Sequence, residues 1–149
     1  MNLNVYVAAP YEDGAFVFQG VHERLRALGM TPTSTWAEHA IGREDFSRYT
    51  PARLREFAVR NDADLRAADV ALVLARAGAG GEMFAEARVA IDWGKPVVWC
   101  GRLILSAWRS GVVRAEDLDA ALSILVAMQA KHAEGYRGHL LAHLVGSTA

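Results

Sequence analysis

The segment "GAGGEMFAEARVAIDWGKPVV", Gly78 to Val98, places two carboxylates, Glu82 and Glu86, just behind a run of glycines. The run ends at Gly81, so a helix is expected to start there, with both glutamates in its first two turns. Residues four apart share one side of a helix, and both lie near its positive end, which favours their ionised form. Met83, Ala87, Ala90 and Ile91 mark the buried stripe. Glu86 flanks that stripe, where a side chain can border a cleft. A carboxylate so placed can attack an anomeric carbon and form a covalent intermediate. Acidic residues are also ordinary in a first turn. Spacing alone favours that plainer reading and does not separate the two glutamates.

Other candidates stand elsewhere in the chain. In "AAPYEDGAF" two small residues, Ala8 and Ala9, allow a ligand close to the backbone, and Pro10 follows them. Tyr11, Glu12 and Asp13 then offer hydrogen bonds at the start of a helix. A phosphate loop would carry glycines and a Lys or Arg at this point. Two acids are not suited to pyrophosphate, and a self-satisfied Asp/Gly turn is the alternative. Asn61 falls on the apolar stripe of its helix with Leu54, Phe57, Ala58 and Leu65. A buried amide must find a partner or it costs about 1–3 kcal/mol, so it either holds a loop or faces a ligand. Asp62 sits one position round, Asp64 reads as solvated, and Asp69 reads as a loop brace. Trp36, His39 and Tyr49 bracket a polar stretch that could close over a planar base, although Trp36 also fits a core position.

The elements that must position these residues alternate. "LNVYVAA" (Leu3 to Ala9), "DVALVLA" (Asp69 to Ala75) and "PVVWC" (Pro96 to Cys100) read as buried strands. "MTPTSTW" (Met30 to Trp36) reads as an edge strand because of Pro32, and Gly111 to Val113 as a short last one. Phe18, Val21, Leu25 and Leu28 predict a helix closed by Gly29. The polar segment Ala37 to Tyr49 reads as a long loop. Thr50 and Pro51 form an N-cap and first-turn pair for a helix whose apolar face is Leu54, Phe57, Ala58, Leu65 and Ala68. Leu118 to Met128 predicts a long helix, and Tyr136 to Val145 a short one in a C-terminal helical extension from about residue 135. The expectation is one α/β domain over residues 1–149. Its sheet is a flavodoxin-like or Rossmann-like doubly wound parallel sheet of five strands in order 2-1-3-4-5, with helices on both faces. Ligands bind such sheets beyond the carboxyl ends of the strands, near the switch point.

Bulk properties narrow the classes. With 149 residues, 52% hydrophobic and 22% charged, the chain can bury a proper core. A net charge of −1 and no basic stripe argue against nucleic acid as a partner. The single Cys100 excludes an intramolecular disulfide and a cysteine metal cluster, and it reads as a small hydrophobe. No stretch reads as a signal peptide or a membrane span, so a cytoplasmic protein without a membrane partner is expected. There is no H-E-x-x-H, G-x-S-x-G or Walker sequence, and no metal site is expected.

The order of parts resembles the nucleoside 2-deoxyribosyltransferase-like family, small flavodoxin-like N-glycosidases and base-exchange enzymes. The parts are "VYVAAPY", "AVRNDADLRAADVALVL", "GGEMFAEARVAIDWGKPVV" and "GVVRAEDLDAAL", spanning Leu3 to about Leu125. In that family a catalytic glutamate precedes the glycine of a Gly-Lys-Pro turn by eight residues, and counting back from Gly94 lands on Glu86. The resemblance implies that Glu86 attacks C1′ of a nucleoside or its 5′-monophosphate and releases the base. It assigns the position of an active-site acid to Asn61, or to Asp62 after a one-residue shift. It implicates Ala9, Pro10 and Tyr11 in holding sugar and base, with Tyr11 orienting sugar or glutamate, Trp36 bordering the base, and Gly81 and Glu82 beside the substrate. Arg88 stands where members often carry glycine, and would crowd the sugar, turn outward or bind a phosphate. Arg102 and Ser106 are further phosphate candidates, possible from a neighbouring subunit.

The resemblance implies no metal or organic cofactor, and a homodimer or higher homo-oligomer. Two other readings remain open from the residues. One is an NAD-cleaving or phosphoribohydrolase-type glycosidase on a similar scaffold, although "AGAGGEMF" lacks the proline and threonine of the latter's loop. The other is a non-catalytic nucleotide-binding or sensing module, favoured by Arg88 and Asn61.

Overall fold

The structure, a computed structural model, describes residues 1–41, 46–76, 81–138 and 140–146. The glycines Gly78 to Gly80 and the middle of the segment read as a loop, including Gly42, lie outside them. Five strands form a single parallel sheet: β1 (Asn4–Ala8), β2 (Thr31–Pro32), β3 (Val70–Ala75), β4 (Val97–Gly101) and β5 (Val112–Ala115). Their order is β2-β1-β3-β4-β5, the expected flavodoxin-like arrangement. Val5 pairs with Val70, Ala71 with Val97, and Val97 with Val112. The three central strands are almost wholly buried because both faces are covered, which is why they read as continuous apolar runs.

After β1 the chain makes a short turn (Tyr11–Asp13) and enters a helical run. This starts as α1 (Gly14–Phe16), widens to a π-helical segment (Val17–Val21) and continues as α2 (His22–Ala27). Gly29 closes it at φ +76°, the left-handed conformation expected of a C-terminal glycine. Gly14 is needed for a different reason: a Cβ there would collide with the Cβ of Ala40, so α1 packs closely against the helical stretch Trp36–Ile41. On the same face, α6 (Leu118–Ala133) lies beside α2, with Gln129 Nε2 donating to the Leu28 carbonyl at 3.0 Å. The final helix α7 (Leu140–Gly146) buries Leu141 and Ala142 in the same core.

The opposite face carries α4 (Pro51–Ala67) and α5 (Gly81–Asp92). Thr50 caps α4 as its sequence suggests, accepting from the Arg53 amide at 3.2 Å. Lys95 of the Gly-Lys-Pro turn reaches back to the other end of α4. It donates to the carbonyls of Arg66 at 3.0 Å and Ala68 at 2.5 Å, satisfying groups that a helix C-terminus leaves open. Asp69 accepts from the Asn4 amide at 2.9 Å and so ties the start of β3 to β1.

Four expectations need correction. The segment after β2 is not a continuous loop: Trp36–Ile41 is a helix, α3, and Phe46–Arg48 a 3-10 turn. Long-range contacts set α3, including Thr35, whose amide and hydroxyl both donate to Asp64. Asp64 is therefore a brace and not a solvated charge. Strand β2 is two residues long, since Ser34 leaves the ladder to donate and accept elsewhere in the core. On α4, Leu54 and Ala58 are exposed and only Phe57 and Leu65 are buried. The front half of α4 rests on aromatic rings, with Phe57 stacked on Tyr49 at 5.4 Å and edge-on to His39.

Candidate active site

Strand β1 has β2 on one side and β3 on the other, so the switch point of the sheet lies at the carboxyl ends of β1 and β3. A cleft of about 260 Å³ opens there, small for a ligand site and suited to a compact molecule. Ala9, Pro10, Tyr11 and Glu12 after β1, and Gly81, Glu82, Met83 and Glu86 of α5, supply most of its lining. Trp36 of α3 and Phe57 and Asn61 of α4 complete it.

Glu86 is held from two elements. The hydroxyl of Tyr6, in the middle of β1, donates to its Oε1 at 2.8 Å. Asn61 Nδ2 donates to the same oxygen at 3.2 Å. Burial lifts the Glu86 carboxyl to about 7. The bond from Tyr6 pulls it down, Glu82 pushes it up, Asn61 pulls down and Asp62 pushes up. Burial, and then the neighbouring Glu86 carboxylate, raise the Tyr6 hydroxyl far above the ordinary phenol range, so Tyr6 remains a donor. A carboxylate desolvated in a cleft and fixed by two donors has the environment expected of a working acid or nucleophile. The Asn61 Oδ1 is buried and accepts no hydrogen bond from the described residues, which leaves it available to a ligand hydroxyl.

The walls are aromatic. Trp36 is fixed by its indole Nε1, which donates to the Val7 carbonyl at 2.8 Å, and the Tyr11 ring lies 6.3 Å from it. Trp36 is buried in the core and is also among the lining of the cleft. Arg76, at the end of β3, donates to Asp13 at 2.9 Å and stands 3.8 Å from Glu12, which ties the two loops of the site together.

Of the residues singled out in the sequence, Ala9, Pro10, Tyr11, Trp36, Asn61, Gly81, Glu82 and Glu86 meet around this cleft. Asp62, Arg88 and Ser106 are not among its lining residues. Asp62 is exposed on α4. Arg88 turns away along α5 and pairs with Asp92 through both carboxylate oxygens, at 2.8 and 2.9 Å. Ser106 lies in the turn Leu105–Trp108 beyond β4. Tyr6, Phe57 and Met83 were not singled out as site residues. For Tyr6 a signal exists: one hydroxyl in an otherwise aliphatic buried strand must find a partner.

No protein-family profile and no curated protein sequence matches this chain. Among solved structures, a 2-deoxyribosyltransferase from the psychrotolerant bacterium Bacillus psychrosaccharolyticus is similar. The TM-score is 0.59 at 17% identity, over 78% of this chain and 88% of that one. The two share a fold. Among the described residues no helix is long and apolar enough to cross a membrane.

Proposed function

We propose that the chain is an enzyme that cleaves or transfers the N-glycosidic bond of a (deoxy)nucleoside or its 5′-monophosphate, with Glu86 as nucleophile. The observation that carries this reading is the convergence of Tyr6 and Asn61 on one oxygen of Glu86 at the switch point of the sheet. Both described bonds fall on Oε1, so Oε2 is the attacking atom. It forms a bond to C1′ of the sugar as the C1′–N bond breaks. The electron pair of that bond leaves with the base, which takes a proton from water. The glycosyl ester on Glu86 is then opened by water, giving hydrolysis, or by a nitrogen of a second base, giving transfer. Either acceptor loses a proton as its own bond to C1′ forms, and Glu86 is regenerated.

The surrounding groups act before and after the attack. Tyr6 and Asn61 hold the carboxylate against rotation and stabilise its charge. The Asn61 Oδ1 accepts from a sugar hydroxyl. Trp36, Tyr11 and Phe57 enclose the base and keep bulk water from competing. The small residues after β1 let the sugar approach the backbone closely. The reaction requires ionised Glu86, which a pKa of about 7 leaves about half-populated at neutral pH.

Incubation with deoxynucleosides, ribonucleosides and their monophosphates, with and without a second free base, tests the reading. Release of a base, abolished in Glu86→Gln, is expected. No release from any of them, or full activity in Glu86→Gln, would reject it.

A further inference from the structure

Glu82 does more in this cleft than begin a helix. We propose that Glu82, together with Glu12, selects against phosphorylated substrates, so that the cleft takes an uncharged nucleoside in preference to its 5′-monophosphate. The inference rests on the reading of the cleft as a nucleoside site and names the substrate class within it.

Among the described residues, charge inside the cleft has one sign. Glu12, Glu82 and Glu86 line it, and no Lys, Arg or His does so among the described residues. The nearby cations are engaged elsewhere. Arg76 donates to Asp13 and stands 3.8 Å from Glu12. Arg60 is against His39, Arg53 against Glu56, and Arg88 against Asp92. The place where an α/β fold commonly receives a phosphate, the start of the helix after the strand, is here the start of α5. Glu82 sits in that first turn and already supplies the negative charge that the helix terminus favours. A 5′-phosphate brings about −1.5 to −2 charges and would stand against the exposed carboxylates of Glu12 and Glu82 at the mouth of the cleft, where solvent screens part of the repulsion. An uncharged nucleoside meets the same lining, carboxylates included, without bringing a negative charge to it. Replacing Glu82 by an amide removes one repelling charge and keeps the shape.

The experiment compares a 2′-deoxynucleoside with its 5′-monophosphate on the wild type, Glu82→Gln and Glu12→Gln at low and high salt, reading kcat/KM for each. Calorimetric binding of the same pair to Glu86→Gln, which cannot turn over, accompanies it. The wild type is expected to prefer the nucleoside by about tenfold, because like charges repel but both carboxylates are exposed and screened. Salt narrows that preference by screening. Glu82→Gln narrows it through better use of the monophosphate. Because this variant alters Glu86 equally for both substrates, the ratio isolates the charge. Equal or better use of the monophosphate by the wild type, or an unchanged ratio in Glu82→Gln, would overturn the proposal. Selective binding of the nucleoside without release of base would sink the catalytic reading and leave the charge selection standing. Binding of neither would remove both.

Discussion

Tyr6 and Glu86 are joined by a 2.8 Å hydrogen bond from the centre of the first strand to the second turn of α5, across 80 positions of sequence. The bond opposes burial: it lowers the Glu86 pKa that desolvation raises. The same donor therefore sets both where the carboxylate points and how readily it ionises.

Tyr6→Phe removes that donor and leaves the ring. Glu86 loses a bond to its charged form, so its pKa rises further and the ascending limb of kcat/KM against pH moves alkaline. A hydrogen bond to a charged group is worth about 1.5–3 kcal/mol, so a fall of about tenfold to a hundredfold is expected near neutral pH. The deficit shrinks as pH rises. A uniform loss at every pH would show that the hydroxyl does not act through ionisation.

Asn61 and Asp62 are neighbours in sequence with different surroundings, one against Glu86 and one in solvent. Asn61→Ala is expected to lower kcat/KM by about tenfold or more. Asp62→Ala should stay within about twofold, as exposed substitutions usually do. Steady-state kinetics on both variants separates the two assignments that the sequence leaves open. The reverse ranking would assign the role to Asp62.

Arg88→Ala tests whether the arginine at the glycine-favouring position obstructs the site. Its side chain is 47% exposed and paired with Asp92, and an exposed helix pair of this kind contributes about 0.3–0.5 kcal/mol. Both melting temperature and turnover should change little. A large gain in turnover would mean that Arg88 enters the cleft during the reaction.

Glu86→Gln should also report the strain of burying a carboxylate. The Glu86 pKa rises from 4.5 to about 7 on folding. Below the unfolded value the group is protonated in both states, and its favourable burial is fully present. Between about pH 4.5 and 7 the unfolded chain ionises while the folded one stays protonated, so stability falls by up to about 3 kcal/mol and levels off above 7. Glutamine keeps an acceptor for Tyr6 and Asn61 without ionising. Denaturant melts should therefore show Glu86→Gln more stable than wild type at pH 8, with the difference vanishing near pH 4. Equal stability across that range would place the Glu86 pKa near its ordinary value.

The parts of this architecture visible in the sequence are those decided locally. The runs at β1, β3 and β4 are apolar because both faces of the sheet are covered, and Thr50 with Pro51 announces α4 through its own backbone geometry. The turn at Gly94, with its positive φ, is local too, whereas the Lys95 cap on α4 reaches 27 positions back and Glu86 is separated from Glu82 only by the family resemblance. What stayed hidden depends on distant partners. Helix α3 spans six residues without apolar periodicity and is held by Gly14, Asp64 and the Val7 carbonyl. The Tyr6 hydroxyl reads as one more strand residue until the fold brings Glu86 to it. Asn61 is legible as a polar residue on an apolar stripe, but its partner is not.

Mass spectrometry of the protein quenched during reaction with a 2′-fluoro-2′-deoxynucleoside tests the central claim most directly, because the electron-withdrawing fluorine slows the breakdown of a glycosyl ester. The account predicts a mass increase of one fluorinated sugar per chain, located on the peptide that contains Glu86 and absent from Glu86→Gln. Release of base with no adduct, or an adduct mapped to Glu82 or Glu12, would contradict it.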